Sequence, residues 1–256
     1  MIKELIEIAI EAGKAIEEVA SGSFNVKIKE DKTPVTEADL ASHHCIAKLL
    51  EEKFPDIPVL SEENCDAPLK ERQLWSEYFL VDPLDGTKEF IKQNGQYAVL
   101  ISLMKENRPV LGVVHAPVSK ETWYAELGKG AFKIDPQGKL TELKIRKFES
   151  GEVNVAVSAS HLTQITSDFM NERFKLYKTH PIGSAIKFCR IAEGLVDIYP
   201  RLGPTSEWDT AAGELILMEA GGGVIQYENQ QPLEYNKDSL RNPWFIAFGT
   251  KIEDLS

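Results

Sequence analysis

Cysteine is scarce in this 256-residue chain: Cys45, Cys65 and Cys189 are scattered and form no Cys-x-x-Cys pair. That excludes a disulfide framework and a thiolate zinc site and fits a reducing compartment. Histidine is nearly as sparse, and His43, His44, His115, His161 and His180 show no His-Glu-x-x-His spacing. They read as solvated or hydrogen-bonded loop and helix residues rather than as metal ligands. No apolar run reaches the length of a membrane span, and the opening "MIKELIEIAIEAGKAIEEVA" carries acids through its apolar face, which excludes a secretory signal. Positive charge is also short. With 29 Lys and Arg against 40 Asp and Glu the net charge is -11, which argues against a nucleic-acid-coating surface and against a polybasic membrane anchor. There is no internal repeat and no low-complexity segment. The expectation is a cytoplasmic protein, monomer or homodimer, with peripheral attachment at the inner face of the membrane as the alternative location.

What is present is an ordinary core composition, 43% hydrophobic, in a chain long enough for one large domain or two closely joined ones. Ile2, Leu5, Ile6, Ala9, Ala12, Ile16 and Val19 recur at helical intervals and predict an amphipathic helix from about 2 to 20, ended by Gly22. A second helix starts after Thr36 as N-cap. "IPVLSEEN" reads as a strand ending at paired glutamates, and "YAVLISLMKENRPVLGVVHAP" as a hairpin with Glu106, Asn107, Arg108 and Pro109 in its turn. Short strands are expected around 122–127, 131–134 and 143–145. "VNVAVSAS" then "LTQITSDFMNERF" reads as strand then helix, the alternation of an α/β layer. "GSAIKFCRIAEGLVDIYPRL" and "EWDTAAGELILMEAGGGVIQY" each give a helix, a glycine stop and a strand. The likeliest internal boundary lies near Gly151, giving an N-terminal α+β half, 1–150, and a C-terminal α/β half, 151–256.

The chemistry concentrates in "VDPLDGTKEF", residues 81–90. Tyr78 to Val81 reads as a short buried strand that stops at Asp82. Pro, Asp and Gly together are turn formers whatever the function. Their order says more: Asp82 and Asp85 flank a stiff Pro83, so both carboxylates can converge on one point with the Leu84 carbonyl held between them. Oxygen-only donors suit a hard cation such as Mg²⁺. Gly86 allows close approach to the backbone, and the following Thr-Lys-Glu-Phe opens a helix turn whose free N–H groups favour an anion. Metal beside anion describes a phosphoryl site. Three further acids stand where elements begin or end. Taken singly, Glu62 reads as an exposed acid after a strand, Asp39 as the partner of a capping box on Thr36, and Asp209 as a helix N-cap.

Taken together, "PVTEAD", "LSEEN", "VDPLDGT" and "EWDTAAGELI", in that order, resemble the Mg²⁺-dependent, lithium-sensitive phosphatase superfamily that includes inositol monophosphatase, from about Pro34 to Gly223. "GSAIKFCRIAEGLVDIYPRLGPTSEWDTAAGE" is similar to its CysQ branch, the 3'(2'),5'-bisphosphate nucleotidases. The resemblance implies a layered αβαβα sugar-phosphatase fold with mixed sheets and two or three Mg²⁺ per site. Glu62, Asp82 and the Leu84 carbonyl would hold a first ion; Asp82, Asp85 and Asp209 would hold a second. The 1–150 half would carry most metal ligands, and the 151–256 half the last ligand and the nucleotide contacts. Asp39 and Thr87, with Glu62, would act on the attacking water, and Gly86 and Thr87 would cradle the phosphate. Ser184, Lys187 and Arg201, beside Asp209, match positions that contact the remaining phosphate or nearby nucleotide atoms. Read without the resemblance, Lys187 and Arg201 are ordinary solvated charges and Ser184 an N-cap. The implied substrate is adenosine 3',5'-bisphosphate, with its sulfated precursor beside it and a role in sulfate assimilation. Inositol monophosphate or another sugar phosphate on the same fold is the alternative, and a non-catalytic metal-dependent binding protein the rival from another class.

Overall fold

Burial follows the helical spacing of the first segment: Leu5, Ile8, Ala9, Ala12 and Ile16 are all buried on one side of α1 (Ile2–Ala20). The computed structural model describes residues 1–28, 34–160, 162–250 and 252–254, so His161 lies outside the described residues. After α1 come β1 (Val26–Ile28), β2 (Pro34–Thr36), α2 (Glu37–Lys53), β3 (Val59–Ser61), α3 (Leu69–Arg72), β4 (Glu77–Asp85) and α4 (Thr87–Ile91). A run of antiparallel strands follows: β5 (Ala98–Lys105), β6 (Arg108–Ala116), β7 (Glu121–Glu126), β8 (Ala131–Ile134) and β9 (Leu140–Glu142). Beyond Gly151 the chain forms β10 (Val153–Ser158), α5 (Gln164–Arg173), β11 (Tyr177–Ile182), α6 (Ile186–Ala192), β12 (Ile198–Arg201), α7 (Ala211–Glu219), β13 (Gly223–Gln226) and β14 (Phe245–Phe248). A single 3-10 turn, Glu207–Asp209, leads into α7.

Strands β3 to β9 make a seven-stranded sheet in sequence order, parallel only between β3 and β4. The second sheet has the order β11-β10-β12-β14-β13, parallel around β10 and antiparallel around β14. Both sheets are therefore mixed. Helices α1 and α2 bury Leu5, Ile8, Ile46 and Leu50 with Phe79, Val99 and Ile101 on one face of the large sheet. On its other face Leu80, Val114 and Trp123 share a core with α6, α7 and the near face of the small sheet, through residues such as Phe188, Leu215, Tyr199 and Phe245. The far face of the small sheet packs Val155 and Ile198 against Met170 and Phe174 around α5. The order of layers is α, β, α, β, α, and a continuous apolar cluster crosses the level of Gly151. A buried carboxylate ties the small sheet at its base: Asp197 takes two bonds from Arg146 Nη2, at 2.7 and 2.6 Å, and one from the Asn154 N–H.

Three expectations shift. Strand β4 does not stop at Asp82 but runs to Asp85, with a register break between the two aspartates where Pro83 has no N–H to give the ladder. The β5–β6 turn is only Glu106 and Asn107, both at positive φ (49 and 58), so Arg108 and Pro109 already belong to β6. Two left-handed residues match the twist of a two-residue hairpin, and Pro109 is tolerated beside the register shift at Leu103 and Met104. The strand expected at 143–145 lies at Leu140–Glu142 instead. Strands β1, β2, β11 and β14 and the short α3 carry no periodic signal that predicts them.

The contact between α1 and the large sheet depends on a glycine and a histidine. A Cβ on Gly13 would stand 2.7 Å from His115 Cδ2, so only glycine lets the helix close over that ring. His115 is buried on β6, its Nδ1 2.8 Å from Thr122 Oγ1. Burial pushes the imidazole down from 6.5 to about 4, against an opposing backbone hydrogen bond at Glu121. The unfolded chain therefore holds the extra proton between those limits. Stability present above pH 6.5 is lost as pH falls towards 4, by about 3 kcal/mol over the whole interval. Denaturant midpoints compared between pH 7 and pH 5 should fall more steeply for the wild type than for His115→Gln, and equal slopes would contradict this account.

Candidate metal and phosphate site

Glu62 follows β3, and its N–H donates to the Val81 carbonyl at 3.1 Å, which sets it beside the end of β4. There Asp82 is buried and its Oδ1 accepts the Leu84 N–H at 3.0 Å across Pro83. From α2, Ser42 Oγ donates to the Pro83 carbonyl at 2.7 Å and fixes the bend. Asp209 closes the 3-10 turn before α7, and its Oδ2 accepts the Ser206 N–H at 2.8 Å. One oxygen from each of Glu62, Asp82 and Asp209 lies within 4.8 Å of the others. Asp85 stands next to this group with a different allegiance: its Oδ2 accepts Ser184 Oγ at 2.7 Å and the Ala185 N–H at 2.5 Å.

Packing acids together has an electrostatic cost, visible in their ionisation. Asp82 is raised well above the usual carboxylate range, first by burial and then by the charges of Glu62, Asp85 and Asp209. Asp209 is pushed up to about 8 by burial, then by Asp85 and Glu62. Burial also raises Asp85, against the Lys187 cation and the bonds from Ser184 and Ala185. A set of oxygen donors that repel one another and are partly withdrawn from water fits a hard divalent cation, which relieves both penalties at once. The donors fit Mg²⁺.

Asp39 serves two purposes. Its Oδ2 accepts the Thr36 N–H and hydroxyl at 2.7 and 2.6 Å, completing the capping box at the start of α2. Its Oδ1 accepts Thr87 Oγ1 at 3.0 Å. The capping bonds and the bond to Thr87 fall on different oxygens of one carboxylate, so capping leaves Oδ1 to face Thr87. Burial raises Asp39 above its ordinary value, moderated by Thr36 and Thr87. Thr87 Oγ1 also lies 3.4 Å from the Leu84 carbonyl. Gly86 joins β4 to α4 at φ 100, where a Cβ would meet the Gln96 carbonyl at 3.2 Å.

A cleft of about 1050 Å³ is lined by Glu62, Asp82, Asp85, Thr87, Asp209 and Arg201, and a pocket of about 170 Å³ adjoins it at Asp85 and Arg201. Ser184 and Lys187 line the smaller pocket. They do not share a helix turn, because α6 begins only at Ile186 and Ser184 lies before it at φ 57. Nor is Ser184 a cap, since its hydroxyl is given to Asp85. Lys187 is no solvated charge: it is buried, with Nζ donating to the carbonyls of Ser184 at 2.7 Å and Ile182 at 3.1 Å, above the Tyr199 ring at 4.9 Å. Burial brings it down to about 8. Arg201 donates Nη2 to the Pro204 carbonyl at 2.8 Å, while its Nε is buried with no hydrogen-bond partner among the described residues. Sequence reasoning missed Ser42 and Tyr199, and also Lys88, which lines both cavities. Ser42 sits in an unremarkable helical run, so nothing local marked it.

The model of the inositol monophosphatase family matches residues 1–246. This chain belongs to the inositol monophosphatase family. Its similarity to the CysQ-type members is high. A 3'(2'),5'-bisphosphate nucleotidase CysQ from Aggregatibacter actinomycetemcomitans is 43% identical over 249 residues, covering 96% of this chain and 91% of that one. The protein of the same name from Escherichia coli K12 is 42% identical, covering 96% and 98%. Among solved structures, CysQ from Bacteroides thetaiotaomicron superposes with a TM-score of 0.86 at 35% identity, covering 98% and 97%. An inositol monophosphatase from Thermotoga maritima follows the same path with a TM-score of 0.77 at 25% identity, covering 97% and 92%. The layered family fold expected from the four motifs and the CysQ-type placement expected from the stretch 183–214 both hold. No helix among the described residues is long and apolar enough to cross a membrane.

Because Asp209 is raised to about 8 and Asp82 is raised too, metal binding at pH 7 must displace protons. Titration calorimetry in buffers of different ionisation enthalpy should show proton release on Mg²⁺ uptake, and affinity should rise from pH 6 to pH 8. Uptake without proton release would show that these acids are already ionised or do not hold the metal.

Proposed function

We propose that this chain is a Mg²⁺-dependent 3'(2'),5'-bisphosphate nucleotidase that hydrolyses the 3'-phosphate of adenosine 3',5'-bisphosphate to give AMP and phosphate, with 3'-phosphoadenylyl sulfate as its second substrate. The observation that carries the reading is a juxtaposition. A buried acid cluster fit for Mg²⁺ and a threonine–aspartate pair share one cleft, and that cleft adjoins a small pocket bordered by Lys187 and Arg201. Clearing this nucleotide would serve sulfate assimilation.

Glu62, Asp82, Asp85, Asp209 and the Leu84 carbonyl would hold the metal, two or three ions in all. Mg²⁺ bound there supplies the positive charge that draws in the scissile phosphate, makes water a better nucleophile and stabilises the departing ribose oxygen. The chain's own groups do the rest. Thr87 Oγ1 donates a hydrogen bond to Asp39 Oδ1, so its lone pairs remain to accept one from the attacking water. As water attacks, its proton passes to Thr87 Oγ1 while the threonine proton passes to Asp39 Oδ1. The raised affinity of buried Asp39 for a proton favours that direction. Glu62, which lines the same cleft, would help orient the water. Gly86, with no side chain and at φ 100, would let phosphate oxygens approach the backbone where β4 turns into α4.

Ser184, Lys187 and Arg201 would receive the phosphate that is not cleaved. The unpartnered Nε of Arg201 supports this, because a buried guanidinium nitrogen without an acceptor is costly unless a ligand supplies one. Contacts to a spectator phosphate are the same in ground and transition states, so their loss appears mainly in KM. In a Mg²⁺-dependent phosphate-release assay, adenosine 3',5'-bisphosphate should be turned over far better than inositol 1-phosphate. Arg201→Ala should raise KM for the bisphosphate roughly ten- to hundredfold, the worth of a charge-assisted hydrogen bond, and leave adenosine 3'-monophosphate nearly unaffected. Equal losses on both nucleotides would remove the second-phosphate role, and preference for inositol 1-phosphate would replace the substrate.

A further inference from the structure

Glu207 is fully buried two residues before Asp209, and no step above uses it. Burying a carboxylate costs several kcal/mol unless donors surround it. Its donors all come from one irregular stretch, residues 235–242. Oε2 accepts the Asn236 N–H at 2.7 Å; Oε1 accepts the Lys237 N–H at 3.2 Å and Lys237 Nζ at 2.5 Å. The stretch has no sheet to satisfy its backbone, and Glu207 provides the acceptors a ladder would have given. It runs alongside the 3-10 turn as a strap: the Glu207 N–H donates to the Leu240 carbonyl at 2.9 Å, the Asn242 N–H to the Thr205 carbonyl at 2.9 Å, and Asn242 Nδ2 to the Ser206 carbonyl at 2.6 Å.

The far side of the strap is anchored to the other half of the molecule. Asn236 accepts Arg72 Nη1 at 2.8 Å and donates Nδ2 to the Arg72 carbonyl at 3.0 Å and to Asn107 Oδ1 at 2.9 Å. Arg72 belongs to α3 and Asn107 to the β5–β6 turn. The chain of bonds therefore runs from α3 and the β5–β6 turn, through Asn236 and Glu207, to the turn whose Ser206 N–H holds Asp209 Oδ2. Asp238, Leu240 and Arg241 of the strap also line the cleft.

We infer that Glu207 is a positioning residue for the metal site: by locking the 235–242 strap to the 3-10 turn it fixes Asp209 at the distance from Glu62 and Asp82 that a shared cation requires. The inference rests on the reading of Glu62, Asp82 and Asp209 as metal ligands. Partners that orient metal ligands from behind typically change metal affinity by about 10- to 100-fold when removed. Glu207→Gln keeps size and one acceptor but puts an NH₂ where a donor already points.

The test is Mg²⁺ titration calorimetry on the metal-free full chain, with circular dichroism and a thermal melt to report folding. Glu207→Gln should weaken Mg²⁺ binding about tenfold or more while remaining folded. The second variant, Asn236→Ala, cuts the link to Arg72 and Asn107, leaves Glu207 its backbone donors, and should move affinity in the same direction. Asp197→Asn, which breaks the Arg146 clasp on the small sheet, should lower the melt and leave Mg²⁺ affinity unchanged. Folded Glu207→Gln or, should that variant not fold, folded Asn236→Ala that binds Mg²⁺ as the wild type does would overturn the inference. So would a loss shared equally by Asp197→Asn, which would mark a general effect of stability. A wild-type protein that took up no Mg²⁺ would remove the metal reading itself, and that arm is read before any variant.

Discussion

Like charges held together out of water are the constraint on which this structure turns. Glu62, Asp82 and Asp209 come from a strand end, a bent strand and a 3-10 turn, and each would be cheaper alone in solvent. The fold imposes their meeting with uncharged devices: the Pro83 break in β4, the Ser42 bond to the Pro83 carbonyl, and the Ser206 N–H on Asp209. Stability is drawn from the layers around them, where Phe188, Leu215, Tyr199 and Phe245 bury apolar area between the two sheets. Once ionised, a buried cluster of carboxylates is destabilising for the fold, and the same repulsion is a standing demand for a divalent cation.

Lys187 shows how the surrounding structure manages charge near that cluster. It is the buried cation nearest Asp85, and it is held by two carbonyl oxygens and the face of Tyr199 rather than by an ion pair. That arrangement offsets part of the Asp85 charge while leaving the cluster's oxygens to a metal. Asp39 makes the same economy with two oxygens, one closing a helix cap and one turned to Thr87. The cap and the proposed catalytic contact use different oxygens, so neither explanation of Asp39 displaces the other.

The elements that were legible in the sequence are those whose burial repeats. Helix α1 and strands β5 and β6 bury residues at helical or continuous spacing, and the caps at Thr36 and Gly194 are local chemistry. The four acidic motifs were legible through their order. Strand β11 was not: it contains Pro181, is half exposed at the edge of its sheet, and shows no alternation. The 235–242 strap was not legible either, since its hold on Glu207, Arg72 and Asn107 joins residues about 30 to 165 positions apart and leaves no periodic trace. Lys187 read as a surface charge because nothing in the sequence says that Ser184 adopts a left-handed turn and brings two carbonyls under its amine.

If repulsion among buried carboxylates is what the metal relieves, removing one charge should help the metal-free fold and harm everything else. Asp82 is the place to test it, since Asn at that position keeps the oxygen that accepts the Leu84 N–H. The measurement is the thermal midpoint of wild type and Asp82→Asn at pH 9, above the value of about 8 to which Asp209 is pushed, each without and with Mg²⁺, alongside turnover. Metal-free Asp82→Asn should melt higher than the metal-free wild type, gain little from Mg²⁺ and lose turnover, whereas the wild type should be strongly stabilised by the ion. A variant that melted lower than wild type without metal, or that kept its Mg²⁺ stabilisation and activity, would contradict the account.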